Sequence, residues 1–68
     1  MTENFGNRLK FLRIDRSLSA DELAEKSGVH AATIKRIERR GSRPNLSTVL
    51  KIARALNVTP ALLLGETT

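Results

Sequence analysis

The sequence predicts an all-α domain of five short helices, and three observations carry that expectation. Apolar residues recur at helical spacing, and no segment alternates in the way a half-buried strand does. Helix-starting and helix-stopping residues punctuate the chain at short intervals. With 68 residues, the chain is read as one domain spanning 1–68, with a single small core and a thin stability margin.

The first helix is expected over 4–16. Phe5, Leu9 and Leu12 fall at i, i+4 and i+7 and form one apolar stripe. Asn4 or Thr2 is its candidate cap, Ser17 ends it, and Leu18 tucks into the core. Phe11 and Ile14 lie off that stripe and share a face of their own. Their patch reads either as a contact with another chain or as a surface covered by the C-terminal tail.

The second helix is expected over 20–27. Ser19-Ala20-Asp21-Glu22 fits the S-x-x-E capping box, and the two acids suit the positive end of the helix dipole. Gly28 permits the left-handed backbone that stops the helix, and Val29 is expected to be buried in the turn. The third helix follows over 31–39, or to Arg40, with His30 as a mediocre cap. Ile34 and Ile37 face inward, and Ala32, Lys35, Arg36 and Arg39 fall outward. The result is a helix, a tight turn and a second helix whose free face is basic. Ala24 is small, which lets these two helices approach closely.

Gly41-Ser42-Arg43-Pro44 reads as a loop, because Pro44 disfavours helix at Arg43. Asn45 caps a fourth helix over 46–56, whose inner stripe is expected to be Leu46, Val49, Leu50, Ala53 and Leu56. Asn57 tolerates the left-handed position after it. Thr59 as cap and Pro60 at the first helical position open a fifth helix over 60–64, closed by Gly65. Glu66-Thr67-Thr68 reads as a loose tail.

Composition bounds the function. Hydrophobic residues make up 40%, enough for a packed domain and too many for a disordered one. Without cysteine there is no disulfide framework and no thiolate metal site. The lone His30 makes no metal site by itself, so no metal and no cofactor is expected. The longest apolar run, Ala61 to Leu64, is far too short for a bilayer, and the first ten residues lack a signal peptide's apolar stretch. The expectation is a cytoplasmic protein that does not engage a membrane. Catalysis is not expected either, since no nucleophile–base pair, glycine-rich phosphate loop or ligand cluster is present.

Lys and Arg number 12 against 7 Asp and Glu, a net charge of +5. Five of the cations, Lys35, Arg36, Arg39, Arg40 and Arg43, crowd into nine positions in which Glu38 is the one acid. Such a cluster beside a helix-turn-helix pattern suits the phosphates of double-stranded DNA better than it suits a merely solvated face.

The stretch Leu18-Ser19-x-x-Glu22-Leu23-Ala24-x-x-x-Gly28-Val29-x-x-x-x-Ile34-x-x-Ile37-Glu38 resembles the phage repressor/Cro-type helix-turn-helix family. The likeness continues through Pro44-Asn45-Leu46 and Lys51-Ile52-Ala53-x-Ala55-Leu56-x-Val58, and covers roughly residues 8–64. The resemblance implies a compact five-helix, lambda repressor-like DNA-binding domain with the helix-turn-helix at helices 2 and 3. It further implies a transcription regulator that binds a palindromic operator as a homodimer. Position by position, it implies an ion pair between Arg13 and Glu38, held largely out of solvent. It places base contacts at Ala31, Ala32, Lys35 and Arg36. Phosphate contacts fall at Ser19, Ala20, His30, Arg39, Arg40, Ser42 and Arg43, and the dimer contact at Val58, Thr59, Pro60, Ala61 and Leu64. No small-molecule effector is expected.

The chain departs from the family at three places. Ala20 stands where glutamine is frequent. Ala31 and Ala32 replace polar readers and can only touch a thymine methyl, so base reading leans on Lys35 and Arg36. The glycine after the third helix comes one position late, at Gly41, which leaves the geometry of that loop open. The two alanines also keep an alternative in view, an antitoxin-like or adaptor module that uses the same surface for a protein.

Overall fold

The computed structural model describes residues 5–41 and 44–65. The expected caps Thr2 and Asn4, the loop residues Ser42 and Arg43, and the tail 66–68 lie outside the described residues.

Among the described residues there are five helices and no strand: α1 (Phe5–Asp15), α2 (Ala20–Ser27), α3 (Ala31–Arg40), α4 (Leu46–Leu56) and α5 (Pro60–Leu64). Their ends are set by the residues that local chemistry favours. Ser19 Oγ accepts the Glu22 N–H at 3.0 Å, and the Ser19 N–H donates to Glu22 Oε1 at 2.7 Å, so the capping box is complete. Asn45 Oδ1 accepts the Thr48 N–H at 2.9 Å, and Thr59 Oγ1 accepts the Leu62 N–H at 3.1 Å.

The helix exits follow the same logic. Gly28 closes α2 with φ at 78°, where a side chain would be strained. Two other exits use non-glycine residues. The Leu18 N–H bonds back to the Arg13 carbonyl and the Ser17 N–H to that of Ile14, with Ser17 left-handed at φ 57°. The Val58 N–H bonds to the Ala53 carbonyl and the Asn57 N–H to that of Arg54, with Asn57 at φ 59°. Both are Schellman motifs, which satisfy the last carbonyls of a helix and turn the chain sharply. The first one ends α1 at Asp15, one residue short of the expected Arg16.

The core joins all five helices. It comprises Phe5, Leu9 and Leu12 from α1, Leu23 from α2, and Ile34 and Ile37 from α3. Val29 fills the turn, α4 supplies Val49, Ile52, Ala53 and Leu56, and α5 supplies Leu63. Leu18 and Ala24 pack against its edge. One expectation needs correction. Leu46 and Leu50 of α4 are 65% and 43% exposed, while Ile52 is fully buried. α4 packs against α2 and α5, and that pair of neighbours covers the stripe Val49, Ile52, Ala53 and Leu56. Leu46 and Leu50 stand to one side of it.

α1 crosses α3 at a glycine. A Cβ on the buried Gly6 would collide with the Ile37 carbonyl oxygen and lie 3.0 Å from the Glu38 carbonyl oxygen. Gly6 is therefore what lets α1 lie against the C-terminal end of α3, a requirement invisible to helix periodicity.

Candidate nucleic-acid interface

The helix-turn-helix is α2, the turn Gly28-Val29-His30, and α3. Ile34 and Ile37 anchor the rear of α3 in the core, at 0% and 4% exposure. The opposite side presents Ala32, Lys35, Arg36, Arg39 and Arg40, all exposed. A helix held at its back and free at its front has the width that the major groove of B-DNA accepts. Ala31, at the leading end, is half-buried.

Glu38 does not dilute this basic face. Arg13 of α1 donates to it twice, Nε to Oε2 at 2.8 Å and Nη2 to Oε1 at 2.9 Å. A third bond runs from Arg13 Nη1 to the Leu18 carbonyl at 2.8 Å, so one guanidinium ties α3 to the turn before α2. Only 13% of the Arg13 side chain and 9% of the Glu38 side chain are reached by solvent. The hydrogen bond to Glu38, then its charge, raise the Arg13 pKa against the opposing effect of burial. The fork geometry and low exposure explain how a lone acid sits inside a cluster of cations.

The α2 mouth lies beside that face. Its capping box satisfies the N–H groups of Ser19 and Glu22, and leaves those of Ala20 and Asp21 without an intrahelical partner. Ser19 retains its hydroxyl proton as a donor. His30 is exposed, makes no side-chain cap bond, and accepts the Ile34 N–H through its carbonyl.

Two features here lie beyond what the sequence suggests. Lys35 Nζ lies 3.7 Å from Asp21 Oδ1, so the central cation of α3 leans on the first turn of α2. Both side chains are more than half exposed, and a pair of that kind yields readily to a stronger partner. The late glycine is also accounted for. α3 simply continues through Arg40, and Gly41 takes the left-handed position at φ 73°, its N–H bonded to the Ile37 carbonyl at 2.7 Å. Arg40 thus becomes a helical residue whose side chain is exposed.

The expected dimer residues lie at the start of α5 and, for Leu64, at its end. Val58, Pro60, Ala61 and Leu64 are half-buried, and Thr59 is exposed. Exposed Leu50 shares a cleft of about 220 Å³ with Val58 and Pro60. It belongs to that apolar surface, although the α4 periodicity assigns it to the core. Phe11 and Ile14 are 67% and 56% exposed, and Phe11 borders a separate groove with Arg8, Leu12 and Leu62. Among the described residues, no group of three or more His, Cys, Asp or Glu side chains is placed to hold a metal, and no helix is long and apolar enough to cross a membrane.

The helix-turn-helix family model matches residues 9–63. The chain belongs to the helix-turn-helix family. Its relatives include the HTH-type transcriptional repressor RghR of Bacillus subtilis, 47% identical over 58 residues that make up 82% of this chain and 42% of that protein. The immunity repressor protein of Bacillus phage phi105 is 36% identical over 93% of this chain and 44% of its own length. This chain therefore spans less than half the length of either relative. Among solved structures, the P22 c2 repressor protein in complex with a synthetic operator superposes with a TM-score of 0.85 at 27% identity, over 97% of this chain and all of that one. By family and by fold the chain is a repressor-type helix-turn-helix domain, and neither is that of an enzyme.

Proposed function

We propose that the chain is a sequence-specific transcription regulator that binds double-stranded DNA, acting in the cytoplasm with α3 in the major groove. The observation that carries this reading is the two-sidedness of α3, with isoleucines sealed in the core behind and an exposed basic face in front. Lys35 and Arg36 read bases, preferring guanine O6 and N7, while Ala31 and Ala32 contribute only apolar contact. Ser19, Ala20, His30, Arg39, Arg40, Ser42 and Arg43 hold phosphates, through side chains and through the open N–H groups at the α2 mouth.

The active unit in this reading is a homodimer on a palindromic operator. Val58, Thr59, Pro60, Ala61 and Leu64 pair across the two-fold axis, joined by Leu50. The two α3 helices then enter half-sites about 34–36 Å apart. The relatives that are repressors, and the operator complex of a similar fold, support this reading.

The test is the double variant Lys35→Ala, Arg36→Ala against a pool of random duplexes. Retention of DNA by the wild type and its loss in the variant are expected. Equal retention by both excludes α3 as the reading helix. A wild type that holds protein ligands and no duplex instead favours the adaptor alternative.

A further inference from the structure

A cleft of about 380 Å³ opens between α1, the mouth of α2 and α3, lined by Lys10, Arg13, Ala20, Lys35, Glu38 and Arg39. Its charges resolve simply. Arg13 and Glu38 neutralise each other in their two-bond pair. Lys35 leans on Asp21 through an exposed contact that leaves it available to the DNA. Arg39 and Lys10 make no ion pair among the described residues, and both are exposed. Ala20 contributes only a methyl group, so nothing from the first residue of α2 fills the space before its open N–H groups. The cleft therefore combines exposed cations from two helices with the positive end of a third.

We propose that Lys10 of α1, across this cleft from Ala20, Lys35 and Arg39, clamps a DNA phosphate and extends the duplex footprint onto the first helix. The assignment rests on the DNA reading above and adds a contact that the helix-turn-helix motif itself does not contain. Lys10 lies one turn before Arg13 on the same side of α1. Arg13 is locked onto Glu38 and the Leu18 carbonyl, which keeps that side of α1 against α3 and holds Lys10 at the cleft's rim. A flexible ammonium at a rim neutralises a phosphate without reading a base, so Lys10 positions the duplex and carries no sequence preference.

A second basic cleft provides the control. Lys26, Ser27, Lys51, Arg54 and Ala55 line it on the α2–α4 seam, and no α3 residue takes part. Removing Lys51 costs the same formal charge as removing Lys10, away from α3.

The experiment measures the affinity of wild type, Lys10→Ala, Lys10→Arg and Lys51→Ala for a duplex selected by the wild type and for an unrelated duplex, over a series of salt concentrations. Thermal unfolding of each variant confirms that it is folded. Each phosphate neutralised contributes about 0.9 to the slope of log K against log salt, so Lys10→Ala should flatten a dimer's slope by about 1.8. Its affinity should drop about tenfold per subunit at 0.1 M salt, equally on both duplexes. Lys10→Arg should restore both quantities, and Lys51→Ala should leave the slope unchanged. A Lys10→Ala slope equal to that of the wild type overturns the assignment alone. So does a Lys51→Ala variant that matches Lys10→Ala, because the effect is then one of net charge. A wild type that holds neither duplex overturns the DNA reading and the Lys10 clamp together.

Discussion

Removing either partner of the Arg13–Glu38 pair should destabilise the domain far more than an ordinary surface ion pair would. The two side chains are 13% and 9% exposed, and they share two short hydrogen bonds. Glu38→Ala strips the guanidinium of both and leaves it only the Leu18 carbonyl. Arg13→Ala leaves a carboxylate facing the α1–α3 contact with no cation in the fork. An uncompensated charge in such a place costs about 3 kcal/mol, the lower end for a buried pair because solvent still reaches its edge. A domain of this length has roughly 3–10 kcal/mol in total. The melting temperature should therefore fall by about 15–20 °C. Replacing both residues by methionine should recover most of the loss, since packing substitutes for a charge pair that no longer needs solvating. Urea titrations followed by far-ultraviolet circular dichroism, closed into a double-mutant cycle, measure the coupling directly. Single losses below about 1 kcal/mol that add without coupling would refute the reasoning, and the pair would then count as a surface contact. The sign of the Arg13 shift adds a further check. A raised cationic pKa contributes stability that is fully present below the unfolded value and is lost only as pH rises through the folded one. Both lie far above neutrality, so Arg13 contributes no slope to stability between about pH 5 and pH 9.

The remaining outcomes concern three other contacts. Gly6→Ala should destabilise by about 1–2 kcal/mol in thermal unfolding, because a clash with α3 backbone outweighs the gain in helix propensity. Ser19→Ala removes the cap of α2 and should cost about 1 kcal/mol, or about 5 °C in melting temperature. Leu50→Asp should convert a dimer to monomer in sedimentation velocity while leaving the melting curve of the monomer close to that of wild type, since Leu50 already faces solvent.

Features that depend on neighbours along the chain are legible in the residues themselves. A capping box spans four residues, and a left-handed exit needs only glycine or asparagine in place, so α2, α4 and α5 begin and end where their residues say. α3 takes the longer of its two expected ends, Arg40, because Gly41 is free to adopt positive φ. What escapes the sequence depends on partners in space. The apolar residues of α4 fit two overlapping stripes, and the placement of α2 and α5 selects the one with Ile52 and leaves out Leu46 and Leu50. Gly6 looks like a weak helix residue until Ile37 lies against it. The site divides the same way. The outward face of α3 follows from its period, whereas the lean of Lys35 on Asp21 and the cleft that Lys10 and Arg39 both line follow from how three helices meet.

Whether this surface reads DNA is decided by selecting bound duplexes from a random pool and titrating the selected sequence at several salt concentrations. A palindromic consensus with half-sites one helical turn apart is expected, together with a salt slope of roughly −7 to −11 for a dimer neutralising about four to six phosphates per subunit. Binding that ignores salt, or that is equal for every sequence in the pool, contradicts it.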